Sequence, residues 1–119
     1  MTVARAGVLV DCDGTLLDTN YLHTLAWSRA FRDLGVWAPM HAIHRLVGMG
    51  GDQLVPKLFG HPLSGADDAH ARHFDDLRDE TEPFPDAAGL LRDLHAAGLA
   101  VVLASSASEP DLRHMRTVL

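Results

Sequence analysis

The run Val8-Leu-Val-Asp-Cys-Asp-Gly-Thr-Leu-Leu-Asp18 constrains the fold more than any other stretch of this chain. Val8 to Val10 is a short apolar, mostly β-branched segment and reads as a buried strand. It delivers two carboxylates, Asp11 and Asp13, and then meets Gly14, which permits a sharp backbone turn. Side chains two apart in a strand point the same way. Asp11 and Asp13 are therefore expected to project together from the strand's carboxyl end, where open α/β sheets place their ligands. Neighbouring carboxylates repel unless a cation lies between them or one keeps its proton. A site that binds a divalent metal and moves protons uses that arrangement, whereas a plain strand-to-turn junction would hold the two Asp as Asx-turn residues.

Helical patterning dominates the chain after this run. Thr19 or Asn20 can cap a first helix, in which Leu22, Leu25, Ala26, Ala30 and Leu34 recur at helical spacing before Gly35. Pro39 opens a short helix through Val47, Gly48 to Gly51 forms a loop, and Asp52 starts a helix to Phe59. Ser64 and Asp67 have capping-box spacing ahead of a charged helix that runs to Glu80. Pro83-Phe-Pro85 reads as a hinge-like linker into a helix over 86–97. A second buried strand is expected over Leu99 to Ala104, then a helix capped by Ser108 with Leu112, Met115 and Leu119 as its apolar stripe. About eighty residues separate the two strands, whereas a parallel crossover needs only about a dozen or more. A helical insertion over 19–82 therefore interrupts a core made of 1–18 and 83–119.

Asp11-Cys-Asp-Gly-Thr-Leu16 resembles the D-x-D-G-T-L signature of the haloacid dehalogenase superfamily, largely magnesium-dependent phosphatases and phosphomutases. The resemblance implies an α/β fold: a Rossmann-like parallel-sheet core, incomplete here, with an inserted α-helical cap. It implies that Asp11 takes the phosphoryl group as an aspartyl-phosphate and that Asp13 acts as general acid and base. It places Mg²⁺ on the Asp11 carboxylate and the Asp13 backbone carbonyl, oxygen donors that this hard ion prefers. Ser105 falls on the second motif, so its hydroxyl, the Ser106 N–H and the Gly14 backbone are expected around the phosphoryl group. Asp18-Thr-Asn-Tyr-Leu-His23 and Trp27 are similar to the opening of the helical cap in phosphoglycolate-phosphatase-like and β-phosphoglucomutase-like enzymes. The implied substrate is a small phosphorylated metabolite.

The chain departs from the family pattern beyond the second motif. The lysine or arginine of the third motif and the acidic pair of the fourth are expected on later strands, yet the only lysine, Lys57, lies in the cap region. The sequence therefore reads as the amino-terminal portion of a phosphatase-like chain, with impaired activity and an open sheet edge suited to self-association. A sugar-phosphate mutase is the alternative enzyme, and a non-catalytic remnant the alternative of another class. Gly51 stands where β-phosphoglucomutase-like chains carry a phosphate-grasping arginine, and Val47 where they carry a lysine, which lowers the mutase reading.

Net charge is −6 with no cluster of lysine or arginine, which argues against nucleic acid or anionic membrane as partner. The longest apolar run, Leu99 to Ala104, is far too short to span a bilayer. Met1 to Gly7 leads straight into the first strand, so no signal segment is expected. Cys12 is the only cysteine, which excludes an internal disulfide and fits a reducing, cytoplasmic setting. Weaker candidates are His23, Trp27, Arg45 and Lys57 for the substrate. His41/His44 and His70/His73 have chelating spacing but no third ligand in sight, and solvated helix faces are the expected reading.

Overall fold

The computed structural model describes residues 5–119; residues 1–4, read above as carrying no signal segment, lie outside the described residues. Strand β1 (Gly7–Asp11) precedes helices α1 (Asn20–Asp33), α2 (Met40–His44), α3 (Gly51–Phe59) and α4 (Ala66–Leu77). A 3₁₀ turn at Arg78–Glu80 leads to helix α5 (Ala87–Ala96), strand β2 (Ala100–Ala104) and helix α6 (Glu109–Val118). The chain up to Asp18 together with Glu82–Leu119 forms one compact unit, and Thr19–Thr81 forms another.

In the first unit β1 and β2 pair in parallel, from Gly7 opposite Ala100 to Asp11 opposite Ala104. Val8, Val10, Val101 and Leu103 cluster with Leu91 and Leu94 of α5 and with Leu112, Met115 and Leu119. The other face differs from the sequence expectation. Leu9 is 74% exposed and Val102 51% exposed, and the register sets them opposite each other. Among the described residues, both strands are thus covered on one face only. An unbroken apolar run does not reveal this, because it is the pattern of a parallel strand buried on both faces. Entry into α5 uses Asp86 at φ 66°, the one described non-glycine residue with positive φ. Asp tolerates that left-handed conformation better than most residues.

The second unit builds its core from four helices. Trp27, Ala30 and Phe31 of α1 share one helical face and pack with Ile43 of α2, Leu54 and Val55 of α3, and Ala66 and Ala69 of α4. Phe59 meets Phe31 edge to face, with ring centroids 4.9 Å apart, a favoured aromatic arrangement. A smaller cluster joins Ala26 to Phe74 and Leu77. At the far end of α1, His73 of α4 pairs with Asp33 at 2.6 Å. The expected Ser64 cap does not form. Gly65 occupies the N-cap at φ 81° with no side-chain cap bond, so backbone geometry makes the turn that a hydroxyl was expected to make. Thr19 likewise sits at the N-cap of α1 without a side-chain cap bond, whereas Ser108 does cap α6, accepting from the Asp111 N–H at 3.4 Å. No helix among the described residues is long and apolar enough to cross a membrane.

Candidate active site

The residues after β1 fold back on themselves. Thr15, Leu16 and Leu17 all donate their N–H to the Cys12 carbonyl, at 3.1, 2.9 and 3.0 Å. Gly14, at φ 76°, donates its own N–H to the Leu17 carbonyl at 2.8 Å. Its amide is committed within the loop, and its left-handed backbone makes the turn. The loop is tied down from outside as well, since Phe84 donates to the Leu16 carbonyl and Asp18 to the Glu82 carbonyl, both at 2.8 Å. Leu16, Leu17 and Cys12 are buried and anchor it to the core.

Asp11 ends β1 and is exposed, while Asp13 lies just beyond the strand and is half-buried. The fully buried Cys12 separates them, so the alternation expected of a strand continues past its end. Burial pushes the Cys12 thiol up, and the charges of Asp13 and then Asp11 add to the rise. It remains a protonated core thiol at neutral pH, not a nucleophile. The Thr15 hydroxyl donates to Oδ2 of Asp11 at 3.0 Å. This bond orients the carboxylate and engages one of its two oxygens. Sequence reasoning passed over Thr15, although its place four residues after Asp11, behind a turn glycine, was the available signal.

The parallel register brings the second motif to the same end of the sheet, because Asp11 lies opposite Ala104 and Ser105 follows directly. Ser105 Oγ accepts the Ala107 N–H at 3.0 Å, which fixes the hydroxyl oxygen and leaves its proton to donate. Ser106 is exposed. The oxygen donors at this end include the Asp11 carboxylate and the Asp13 carbonyl. Both suit Mg²⁺, which takes one or two carboxylates and completes its shell with water and substrate phosphate oxygens. They fit as part of a shell and not as a cage: among the described residues no group of three or more His, Cys, Asp or Glu could hold a metal ion.

The remaining candidates belong to the helical unit. His23 is half-buried and its Nδ1 lies 3.2 Å from Nε2 of His70. Trp27 is 5% exposed and is a core side chain of that unit, not a surface residue. Arg45 and Lys57 are exposed at the ends of α2 and α3. His70 and His73 turn to different partners, His23 and Asp33, so they do not converge on a metal. His41 and His44 are exposed on α2, where His44 lies against Tyr21. Gly51 is crowded: a Cβ there would overlap the Asp67 carboxylate and come within 2.8 Å of the Trp27 ring.

A parallel β-α-β unit with an acid-bearing loop at its carboxyl end and an inserted set of helices is a Rossmann-like arrangement. The family model for haloacid dehalogenase-like hydrolases matches residues 6–116, and the chain belongs to that family. Among solved structures it is similar to a hydrolase from Pseudomonas syringae, with TM-score 0.88 and 24% identity, covering 97% of this chain and 55% of that one. It is also similar to CbbY from Rhodobacter sphaeroides in complex with phosphate, with TM-score 0.75, 24% identity and coverage of 97% and 57%. A third likeness is to a protein from Lactobacillus plantarum assigned as a phosphoglycolate phosphatase, with TM-score 0.79, 18% identity and coverage of 98% and 57%. At these identities the likeness establishes the fold, and the chain spans about half the length of the structures it matches. No curated protein sequence matches the chain.

Proposed function

We propose that this chain carries the first half of a phosphomonoester hydrolase site, with Asp11 as nucleophile and Asp13 as general acid and base. The observation that carries the reading is the Asp11 carboxylate, exposed at the carboxyl end of β1 and held through one oxygen by Thr15, beside the Ser105 turn at the end of β2. An Asp11 oxygen forms a bond to phosphorus as the bond to the leaving oxygen breaks, and Asp13 gives that oxygen its proton. Asp13 then takes a proton from water as the water oxygen attacks phosphorus and releases Asp11. The Ser105 hydroxyl and the Ser106 N–H donate to the phosphoryl oxygens. Asp11 and the Asp13 carbonyl would hold Mg²⁺, which when bound neutralises charge on the phosphoryl oxygens. The substrate class is a small phosphorylated metabolite, in keeping with the phosphate bound to CbbY. Half-buried His23 and the exposed Arg45 and Lys57 are the helical unit's candidates for the rest of the substrate.

A mutase must hold a second phosphate, and the crowding at Gly51 speaks against that reading: a carboxylate, Asp67, fills the space where a cationic arm would begin. The test is hydrolysis of an aryl phosphate with Mg²⁺ by the chain and by its Asp11→Asn variant. The variant is expected to lose about 10³-fold or more, the scale on which loss of a covalent nucleophile is felt. Equal rates in the two proteins would overturn the proposal.

A further inference from the structure

We infer that Thr15 is a positioning residue that sets the lifetime of the aspartyl-phosphate on Asp11. The inference rests on the hydrolase proposal above and adds a step-specific role to it. Thr15 is held on both sides: its N–H donates to the Cys12 carbonyl at 3.1 Å, and its hydroxyl donates to Oδ2 of Asp11 at 3.0 Å. The turn at Gly14, with φ 76°, carries position 15 back over the end of β1. Buried Cys12 and Leu16 anchor the turn on either side of it. Among the described residues the Thr15 hydroxyl is the sole side-chain donor to Asp11, and no arginine, lysine or histidine pairs with that carboxylate.

The strength of this bond changes along the reaction. A carboxylate spreads its charge over both oxygens, and a hydrogen bond to an ionised acceptor is about twice as strong as one to a neutral acceptor. Oδ1, which Thr15 leaves open, is the oxygen that bonds to phosphorus. Oδ2 is then the neutral carbonyl oxygen of an acyl phosphate, and the Thr15 bond weakens. In the second step a water oxygen bonds to phosphorus and its proton passes to Asp13. The Oδ1–P bond breaks, and its electron pair returns to the carboxylate. Charge reappears on Oδ2, so the Thr15 bond regains its strength as this transition state is reached. Only an interaction that strengthens on the way to the transition state accelerates a step. Thr15 therefore speeds breakdown of the aspartyl-phosphate and holds back its formation, whereas a group that merely oriented Asp11 would speed both.

The test supplies acetyl phosphate and Mg²⁺ to the unmodified chain and to its Thr15→Val, Thr15→Ser and Asp11→Asn variants. The donor is removed by gel filtration, and loss of the phosphoryl mass from the intact protein is followed with time. The decay read in this way does not depend on how fast the label formed. Thr15→Val keeps the shape of the side chain and removes its hydroxyl, and should lengthen the half-life about five-fold, the scale of strengthening one hydrogen bond by charge. Thr15→Ser restores the hydroxyl and should return the half-life to that of the unmodified chain. An Asp11-dependent label whose half-life is not lengthened by Thr15→Val, or not restored by Thr15→Ser, would overturn the inference and leave the hydrolase proposal standing. No label, or one that persists in Asp11→Asn, would overturn both. Should Thr15→Val lose its folded circular dichroism, Thr15→Ala is judged by the same half-life.

Discussion

Phe31 in the helical unit and Leu9 in the sheet unit are both large apolar side chains inside regular elements, yet the first is fully buried and the second is 74% exposed. The helical unit closes its apolar surface upon itself, because four short helices surround the face that carries Trp27, Ala30 and Phe31. Among the described residues the sheet unit has two strands with α5 and α6 on one side, so its interior is the single layer between sheet and helices. A pair of parallel strands covered on one face is far from the usual condition of such sheets. The helical unit spreads its stability over a closed core, whereas in the sheet unit's layer the most deeply buried side chains are those of the loop, Cys12, Leu16 and Leu17.

Four measurements break or sharpen this contrast. Phe31→Ala should have the largest effect, a loss of about 3–5 kcal/mol for a buried aromatic, read as a lower urea midpoint of the helical signal. A loss below about 1 kcal/mol would mean that this core is not closed. Leu17→Ala should cost about 2–5 kcal/mol, measured in the same way, which would show that the loop anchors the sheet unit as firmly as a core residue does. Cys12 gives a smaller, pH-dependent effect. The fold keeps its thiol protonated while the unfolded chain ionises near about pH 8.5, so the unfolded state then binds fewer protons and stability falls as pH rises beyond that value. Urea midpoints at pH 7 and pH 10 should diverge more for the unmodified chain than for Cys12→Ala. Leu9→Ser should change stability least, within about 0.5 kcal/mol as at other exposed sites. Its urea midpoint should match that of the unmodified chain, and a clear drop would show that this face is covered.

Much of the architecture was legible because it rests on local signals. Val8 to Asp11 announces a strand that ends in an acid, the leucines and alanines after Asn20 mark α1, and Ser108 caps α6 as its hydroxyl spacing indicates. What escaped depends on distant partners. The exposure of Leu9 and Val102 is set by which faces the helices cover, and composition carries no trace of that. Trp27 matched a cap-opening pattern but its neighbours, Phe31 and His70, place it in the core. The His23–His70 contact spans forty-seven positions in the chain, and His70 looked like half of an i, i+3 pair with His73. That the Gly14 amide closes a tight turn onto the Leu17 carbonyl was not legible either.

The crowding around Gly51 bears on how this loop can change over evolutionary time. A lone replacement of Gly51 by any larger residue meets the Asp67 side chain and the indole of Trp27 before it gains a new contact. The Asp67 carboxylate can rotate aside, but the indole of Trp27, a core ring, cannot give way as readily, so the position admits a larger side chain only at a cost to the packing of the helical unit.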